Sequence, residues 1–468
     1  MEEKELAIIK MLAYQRGIFV PDELYEELSK SAYSGYRTTS GVFFKFGGTK
    51  VANEVDDSIA YEDYLSTREW ATSQIFKMSD IKSMDDMGSF LTLGADKDGN
   101  LFVNGQYVDS KGKSYELHCD DVGMYQQGNY DDSEAVAIQA GGIRGRVSIC
   151  GSNCVSGCKF CSFGSGADKY KTGTFTDSKL NNYIKPLIQQ VVEDQKISQL
   201  FITGGNPSLD DMKSWTYFLE ESIKQFKKSA EENGISEGLT VDVMLTPRGE
   251  DRYVYDESER KEHYLAYCQK LKKLGVTSVS PNMELWSQAK LDEYCPGENG
   301  VSKSEIGQAG YLDFIDSAVQ TFGPFNVRSA LIVGLNSIEE TKQAIDELIK
   351  RGCYVTLSPF KAPEVVQQDP RYGKSLRENE PAAEDLIELS IYLKNATDNF
   401  LQTLPTEMRK RCEENIERSL NAHNTHNTAN LCSGRRLDRL ERRALREGAD
   451  STLVRSVREL MKNNAGEM

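Results

Sequence analysis

Between about residues 143 and 365 the chain alternates short apolar runs with longer stretches of helical spacing, and that alternation leaves few folds open. Candidate strands lie at 146–149, 199–202, 239–245, 276–280, 327–333 and 354–357. Helical segments fall between them. Leu180, Ile184, Leu187, Ile188 and Val191 recur at helical spacing, and Pro186 marks a break or a late start. Residues 209–232 read as a long helix with Ser208 as its N-cap. Ser337-Ile338-Glu339-Glu340 is a capping box, and Gly352 closes that helix. Ile338, Ile345, Leu348 and Ile349 then face the sheet. Strands alternating with helices in this way specify an α/β fold with a parallel sheet, and ligands gather at the carboxyl ends of its strands. The order of elements alone allows either an open sheet or a barrel.

The flanks read differently. Residues 1–142 form an acidic amino-terminal α+β domain. Residues 1–140 hold 13 Lys or Arg against 25 Asp or Glu. A helix is expected near residues 5–14, and short strands at 41–46, 90–93, 101–103 and 114–117. Asp96-Lys97-Asp98-Gly99-Asn100 has its glycine too early for an EF-hand and reads as a hairpin turn. Residues 366–468 read as a helical carboxy-terminal domain, with helices at 381–404 and 406–420. Two amphipathic helices are expected in the Arg-rich last 36 residues, broken at Gly448.

Charge narrows the function. Fifty-six basic residues against 72 acidic leave a net charge of −16. An acidic surface disfavours the phosphate backbone of nucleic acid and leaves small molecules and peptides as substrates. No 18-residue apolar run and no signal-peptide pattern occurs, so the expectation is a cytoplasmic protein without a membrane span. Ten cysteines in such a chain point to buried, metal-bound or catalytic thiols rather than disulfides. Four histidines argue against a His-rich zinc enzyme.

The chemistry concentrates in one stretch. Cys154-x3-Cys158-x2-Cys161 follows the first core strand directly. Three thiolates within eight residues can wrap one soft metal centre. Three ligands suit an iron–sulfur cubane that keeps one iron open, whereas a closed structural site takes four. Two other readings stand beside this one. Zinc could use the trio with Cys150, although no second Cys-x2-Cys knuckle exists. Three inert core thiols are the other, although a Gly/Ser-rich loop packs a core poorly.

With an aromatic residue, Phe160, just before the last cysteine, this motif resembles the signature of radical S-adenosylmethionine (SAM) enzymes, with the core nearest to biotin- and lipoyl-synthase-like members. The resemblance implies a partial (β/α)6 TIM-type barrel and an oxygen-sensitive enzyme with two cofactors, a [4Fe–4S] cluster and SAM. Cys154, Cys158 and Cys161 would be the metal ligands. Gly204, Gly205 and Asn206, after the second strand, are similar to the glycine motif at the SAM amino group, or else form a plain turn. Asn282 and Glu284, after the fourth strand, resemble the family's SAM-contacting pair, or else cap a strand end. Arg328 on the fifth strand is a candidate for the SAM carboxylate, or else a partner in a surface ion pair. Ser358 ends the sixth strand, where adenine contacts are expected. The catalytic residues stay unassigned.

The implied reaction begins with reductive SAM cleavage and hydrogen abstraction from a small metabolite or natural-product intermediate. A peptide substrate is the second reading, and transfer RNA the third. From a different class stands a non-catalytic iron–sulfur or zinc scaffold. A reducing partner such as flavodoxin or ferredoxin would supply the electron. Other residues are weaker candidates: Arg248, Glu250 and Arg252 after the third strand line either a pocket or a charged loop. Tyr170 is close to the cluster loop in sequence. His423, His426 and Cys432 suggest a second metal less well than they suggest a polar loop.

Overall fold

The computed structural model describes residues 8–9, 12–13, 17–29, 42–45, 70–73, 75–80, 88–97, 100–108, 111–120, 122–126, 129–130, 138–141, 144–148, 154–161, 175–195, 197–235, 238–296, 300–360, 379, 381 and 383–422. The expected amphipathic helices beyond residue 422 lie outside these. The chain divides into two units. One comprises residues 1–128, 381–390 and 424–468, and the other 129–380 and 391–423.

The first unit holds two small sheets. β1 (Ile18–Val20) pairs in parallel with β4 (Ile75–Lys77) and with β5 (Phe90–Ala95). Then β6 (Leu101–Val108) and β7 (Ser114–Cys119) continue as an antiparallel meander. Alternation buries Leu91, Leu93, Leu101, Val103 and Leu117. The Asp96–Asn100 stretch is the hairpin turn expected: Asn100 N donates to the Asp96 carboxylate at 2.8 Å, and Asp96 N to Asn100 O at 2.9 Å. The second sheet is antiparallel, with β2 (Val42–Lys45) between β3 (Trp70–Ser73) and β8 (Gly123–Gln126). Helix α1 spans Asp22–Ser29.

The larger unit is built on one eight-stranded sheet. It opens with two antiparallel strands, β9 (Asn129–Tyr130) and β10 (Ile138–Gly141), which precede residue 143. From β11 (Arg144–Ser148) onward every neighbour is parallel: β12 (Gln199–Thr203), β13 (Thr240–Leu245), β14 (Ser278–Pro281), β15 (Val327–Val333) and β16 (Cys353–Pro359). Strand order follows chain order throughout, so each connection steps to the next position in the sheet. The helices that make those steps are α2 (Lys185–Gln195), α3 (Met212–Glu232), α4 (Glu257–Leu274), the short α5 (Gln288–Tyr294), α6 (Lys303–Phe322) and α7 (Ile338–Lys350). Two more follow, α8 (Ala383–Gln402) and α9 (Thr406–Ala422).

Local signals account for several helix ends. Ser337 and Glu340 form the capping box of α7, and Ser302 with Glu305 forms another at α6. A π-helical turn, Leu180–Ile184, precedes Pro186, whose missing N–H prevents a regular helix from running through. Ser208 does not cap α3 directly. It accepts from Asp211 N in a turn, and the helix starts at Met212.

The two faces of the parallel sheet differ in chemistry. Leu200, Ile202, Val241, Val243, Leu245, Val279, Val327, Leu331, Val333, Val355 and Leu357 occupy one face, and all are buried. The alternate positions carry Gln199, Thr203, Thr240, Asp242, Ser278, Ser280, Arg328, Thr356 and Ser358. On that polar face the Arg328 guanidinium lies 5.3 Å from the Phe201 ring, three strands away. A flat sheet would separate them by about 14 Å at 4.8 Å per strand. The sheet therefore curls, with its polar face concave.

Candidate functional site

The cysteine loop leaves the carboxyl end of β11, and residues 154–161 are described. Gly157, at φ +63°, takes a left-handed turn that glycine adopts without steric cost. Cys161 N donates to Cys158 O at 3.1 Å. The loop that leaves β12 clamps it from one side. Val155 N donates to Asn206 O at 3.1 Å, and Asn206 N donates to the Cys154 Sγ at 3.3 Å. The Asn206 amide also donates to the hydroxyls of Ser156 and Thr246. Between them Gly205 comes so close that a Cβ there would lie 2.2 Å from Cys154 Cβ. Gly205 thus serves a close approach of two backbones. Tyr253, whose hydroxyl donates to Pro207 O at 2.9 Å, anchors the far end of the same loop.

The β14 connection holds the other side. Lys159 N donates to Tyr294 O at 2.8 Å. Cys158 and Phe160 are buried in an apolar cluster with Leu285, Leu291, Tyr294, Cys295, Ile332, Leu335 and Phe360, and Cys161 packs against it. The Cys295 thiol beside Cys158, together with burial, pushes the Cys158 thiol well above its usual range. Burial also pushes Cys154 up. Among the described residues no three His, Cys, Asp or Glu side chains converge as a ready metal site. The candidate ligands Cys154, Cys158 and Cys161 are soft donors on one short loop, and that chemistry fits an iron–sulfur group.

A buried polar group lies behind the loop. Asn282 follows β14, and its Oδ1 accepts from Ala330 N at 3.1 Å and from the Ser280 hydroxyl at 2.8 Å. That is the strand-end capping alternative. Glu284 sits at φ +69° in a bridge to Leu331, so it does not continue a regular strand. Its carboxylate takes a 2.5 Å ion pair from Lys303 Nζ, which also donates to Asn282 O at 2.7 Å. Burial disfavours the Lys303 ammonium, but Glu284, then Tyr311 and the thiols of Cys158 and Cys295, hold its pKa well above the ordinary lysine value. Lys303 was missed in the sequence. The signal available was the Ser302/Glu305 capping box, which fixes where α6 begins and so where Lys303 points.

Arg328 does not join this group. It is the second residue of β15, at the amino-terminal end of the sheet, where Nη1 faces Asp242 Oδ1 at 3.4 Å. The cation close to Cys158 is Lys303. Ser358 stands on the concave face of β16, in register with Ile332. Arg248 is buried among the rings of Trp215, Tyr253 and Tyr267, while Glu250 pairs with Lys270 and Arg252 with Glu259. Cys150, Tyr170, His423, His426 and Cys432 lie outside the described residues.

No protein-family model matches this sequence, and no curated protein resembles it at sequence level. Solved structures are similar over about half of the chain. They include HydG, a maturase of the [FeFe]-hydrogenase, at 14% identity and TM-score 0.39, covering 54% of this chain and 49% of that one. Methylornithine synthase (PylB) is 13% identical at TM-score 0.37, covering 54% and 62%. Coproporphyrinogen III oxidase (HemN) from Escherichia coli, a radical SAM enzyme, is 18% identical at TM-score 0.29, covering 51% and 50%. The chain spans less than two thirds of each. No described helix is long and apolar enough to cross a membrane.

Proposed function

We propose that this chain is a radical SAM enzyme acting on a small metabolite, with β11–β16 as its partial (β/α)6 barrel. One observation carries the reading. The Cys154-x3-Cys158-x2-Cys161 loop at the carboxyl end of the first parallel strand is gripped by the Gly204-Gly205-Asn206 loop at the carboxyl end of the second. That end of a parallel sheet is where ligands bind. A structural metal loop would need no such second loop.

In this reading Cys154, Cys158 and Cys161 would hold a [4Fe–4S] cluster. When bound, the cluster and SAM would supply one-electron, radical-forming chemistry at an unactivated carbon. The protein's own residues position and exclude. Gly204 and Gly205 offer backbone at close range to the SAM amino group. Lys303, held by Glu284 and the Asn282 carbonyl, is the cation for the SAM carboxylate. Phe160 and the apolar cluster around it keep water from the loop. Ser358, at the end of β16, lies where the adenine would rest. The reducing partner is a flavodoxin or ferredoxin, and the enzyme works in the cytoplasm.

The test is low-temperature electron paramagnetic resonance of anaerobically reconstituted, dithionite-reduced protein. A [4Fe–4S]⁺ signal whose g-values move on adding SAM is expected. A signal indifferent to SAM, or a preparation that takes up zinc and no iron, would leave a scaffold protein instead.

A further inference from the structure

The Cys158 thiol has a neighbour that the three-cysteine motif does not contain. Cys295 is 0% exposed and lies in the same apolar cluster as Cys158. The two thiols are hydrogen-bonded to each other, and neither is in a disulfide. Backbone contacts hold them together. Lys159 N donates to Tyr294 O at 2.8 Å, and a Cβ on Gly157 would lie 3.5 Å from Pro296 O, so residues 294–296 run beside residues 157–159. Cys295 is itself tied down on both sides. Its N–H donates to Leu291 O at 2.8 Å, closing α5, and its carbonyl accepts from Ser304 N at 3.4 Å, at the start of α6.

A thiol fixed in this way is either a further ligand or a hydrogen-bond donor to one. The ligands of a cubane cluster occupy separate corners, and two sulfurs in mutual contact do not span two of them. A thiolate on iron has lost its proton and only accepts, whereas a thiol left unligated keeps an S–H to give. Cys154 Sγ has a backbone donor in Asn206 N at 3.3 Å. Cys158 Sγ has no such N–H among the described residues, where its other partner is the Ser156 carbonyl at 4.0 Å, an acceptor. Hydrogen bonds to ligand sulfurs stabilise the more negative, reduced state of a cluster and so raise its reduction potential.

We propose that Cys295 is a positioning residue for the cluster, its thiol donating to Cys158 Sγ when Cys158 is ligated and so making the cluster easier to reduce. This role rests on the iron–sulfur part of the function proposed above. One such bond changes the ratio of reduced to oxidised cluster at a fixed potential by about fivefold. That is about 40 mV, at roughly 59 mV per tenfold for one electron. Two substitutions separate a donor from a space-filler. Alanine removes the S–H and leaves a small gap, while serine keeps a hydroxyl donor. If Cys295 only filled space, serine would be the more harmful change, because a hydroxyl in an apolar cluster costs more than a missing sulfur. A donor gives the opposite order.

Potentiometric titration of the anaerobically reconstituted full chain, read by electron paramagnetic resonance without SAM, tests this on the wild type, Cys295→Ala and Cys295→Ser. Iron content should be equal in all three. Cys295→Ala should lower the midpoint potential by about 40 mV, and Cys295→Ser should leave it at or above the wild-type value. An unmoved midpoint in Cys295→Ala overturns the proposal, as does a fall in Cys295→Ser as large as that in Cys295→Ala. Loss of iron in Cys295→Ala would make Cys295 a ligand and overturns it too. A wild type that takes up no iron overturns it together with the iron–sulfur reading. A signal indifferent to SAM that still shows the expected shift sinks the radical reading alone. A SAM-sensitive signal with an unmoved midpoint sinks only the role of Cys295.

Discussion

A methyl group added at Gly205 would meet the Cβ, Cα and N of Cys154 at 2.2, 2.7 and 3.0 Å, and two of those are backbone atoms that cannot swing aside. Overpacking of this kind costs about 1–3 kcal/mol. Gly205→Ala is therefore expected to lower the urea midpoint by that amount and to cut the iron retained after reconstitution, both measurable on one preparation. Tyr253 acts on the same loop from its far end. Tyr253→Phe removes the hydroxyl from Pro207 O and leaves that carbonyl short of a partner, at a cost of about 1 kcal/mol. If the loop grips SAM, its dissociation constant should rise about fivefold, which is what 1 kcal/mol converts to. An unchanged constant in calorimetry would show that Tyr253 holds the fold and not the ligand. The cysteine spacing was legible in the sequence because three soft donors on one loop constrain each other locally. Lys303 was not, because its partners, Glu284 and the Asn282 carbonyl, are brought to it by the packing of α6 against β14 and β15.

Helices α2 and α3 are joined by an ion pair that neither helix contains alone. Lys185 Nζ reaches the Glu221 carboxylate at 2.6 Å, both side chains being mostly buried. The hydrogen bond from Lys185, followed by that from Lys224, holds the Glu221 carboxyl below its ordinary value. The unfolded chain thus takes up the proton first, near its reference value of about 4.3. The contribution is complete above that pH and is lost as pH falls through the lower folded value. Glu221→Gln should cost about 1 kcal/mol at neutral pH. It should also flatten the fall of stability on acidification below about pH 5, read as urea midpoints across that range. Strand and helix identities in the larger unit were legible because period-2 and period-3.6 patterns alternate without interruption. Element starts were less so: Ser208 reads as a cap, yet its hydroxyl is taken up by a turn with Asp211.

Across the larger unit, one buried pair of charges links strands that are not neighbours. Asp242 on β13 and Arg328 on β15 are separated by β14. Removing one partner of a buried pair strands the other, at about 3–5 kcal/mol, whereas replacing both by apolar residues is often tolerated. Asp242→Asn should accordingly destabilise the protein by about that amount in urea. Asp242→Leu combined with Arg328→Met should recover most of it. A double variant as unstable as the single one would mean the pair is not the source of the loss.

The sequence by itself determined the α/β class, the six parallel strands and the cysteine loop after the first, because each follows from short-range periodicity and spacing, whereas their order across the sheet came from the tertiary structure. It could not determine which polar residues of the strands share a space. Arg328 reads as a candidate ligand of the SAM carboxylate, with a surface ion pair as the nearest alternative. The folded sheet instead buries it against Asp242, two strands away, while Lys303 pairs with Glu284. Side-chain partners come from residues distant in the chain, and the packing of whole elements decides them.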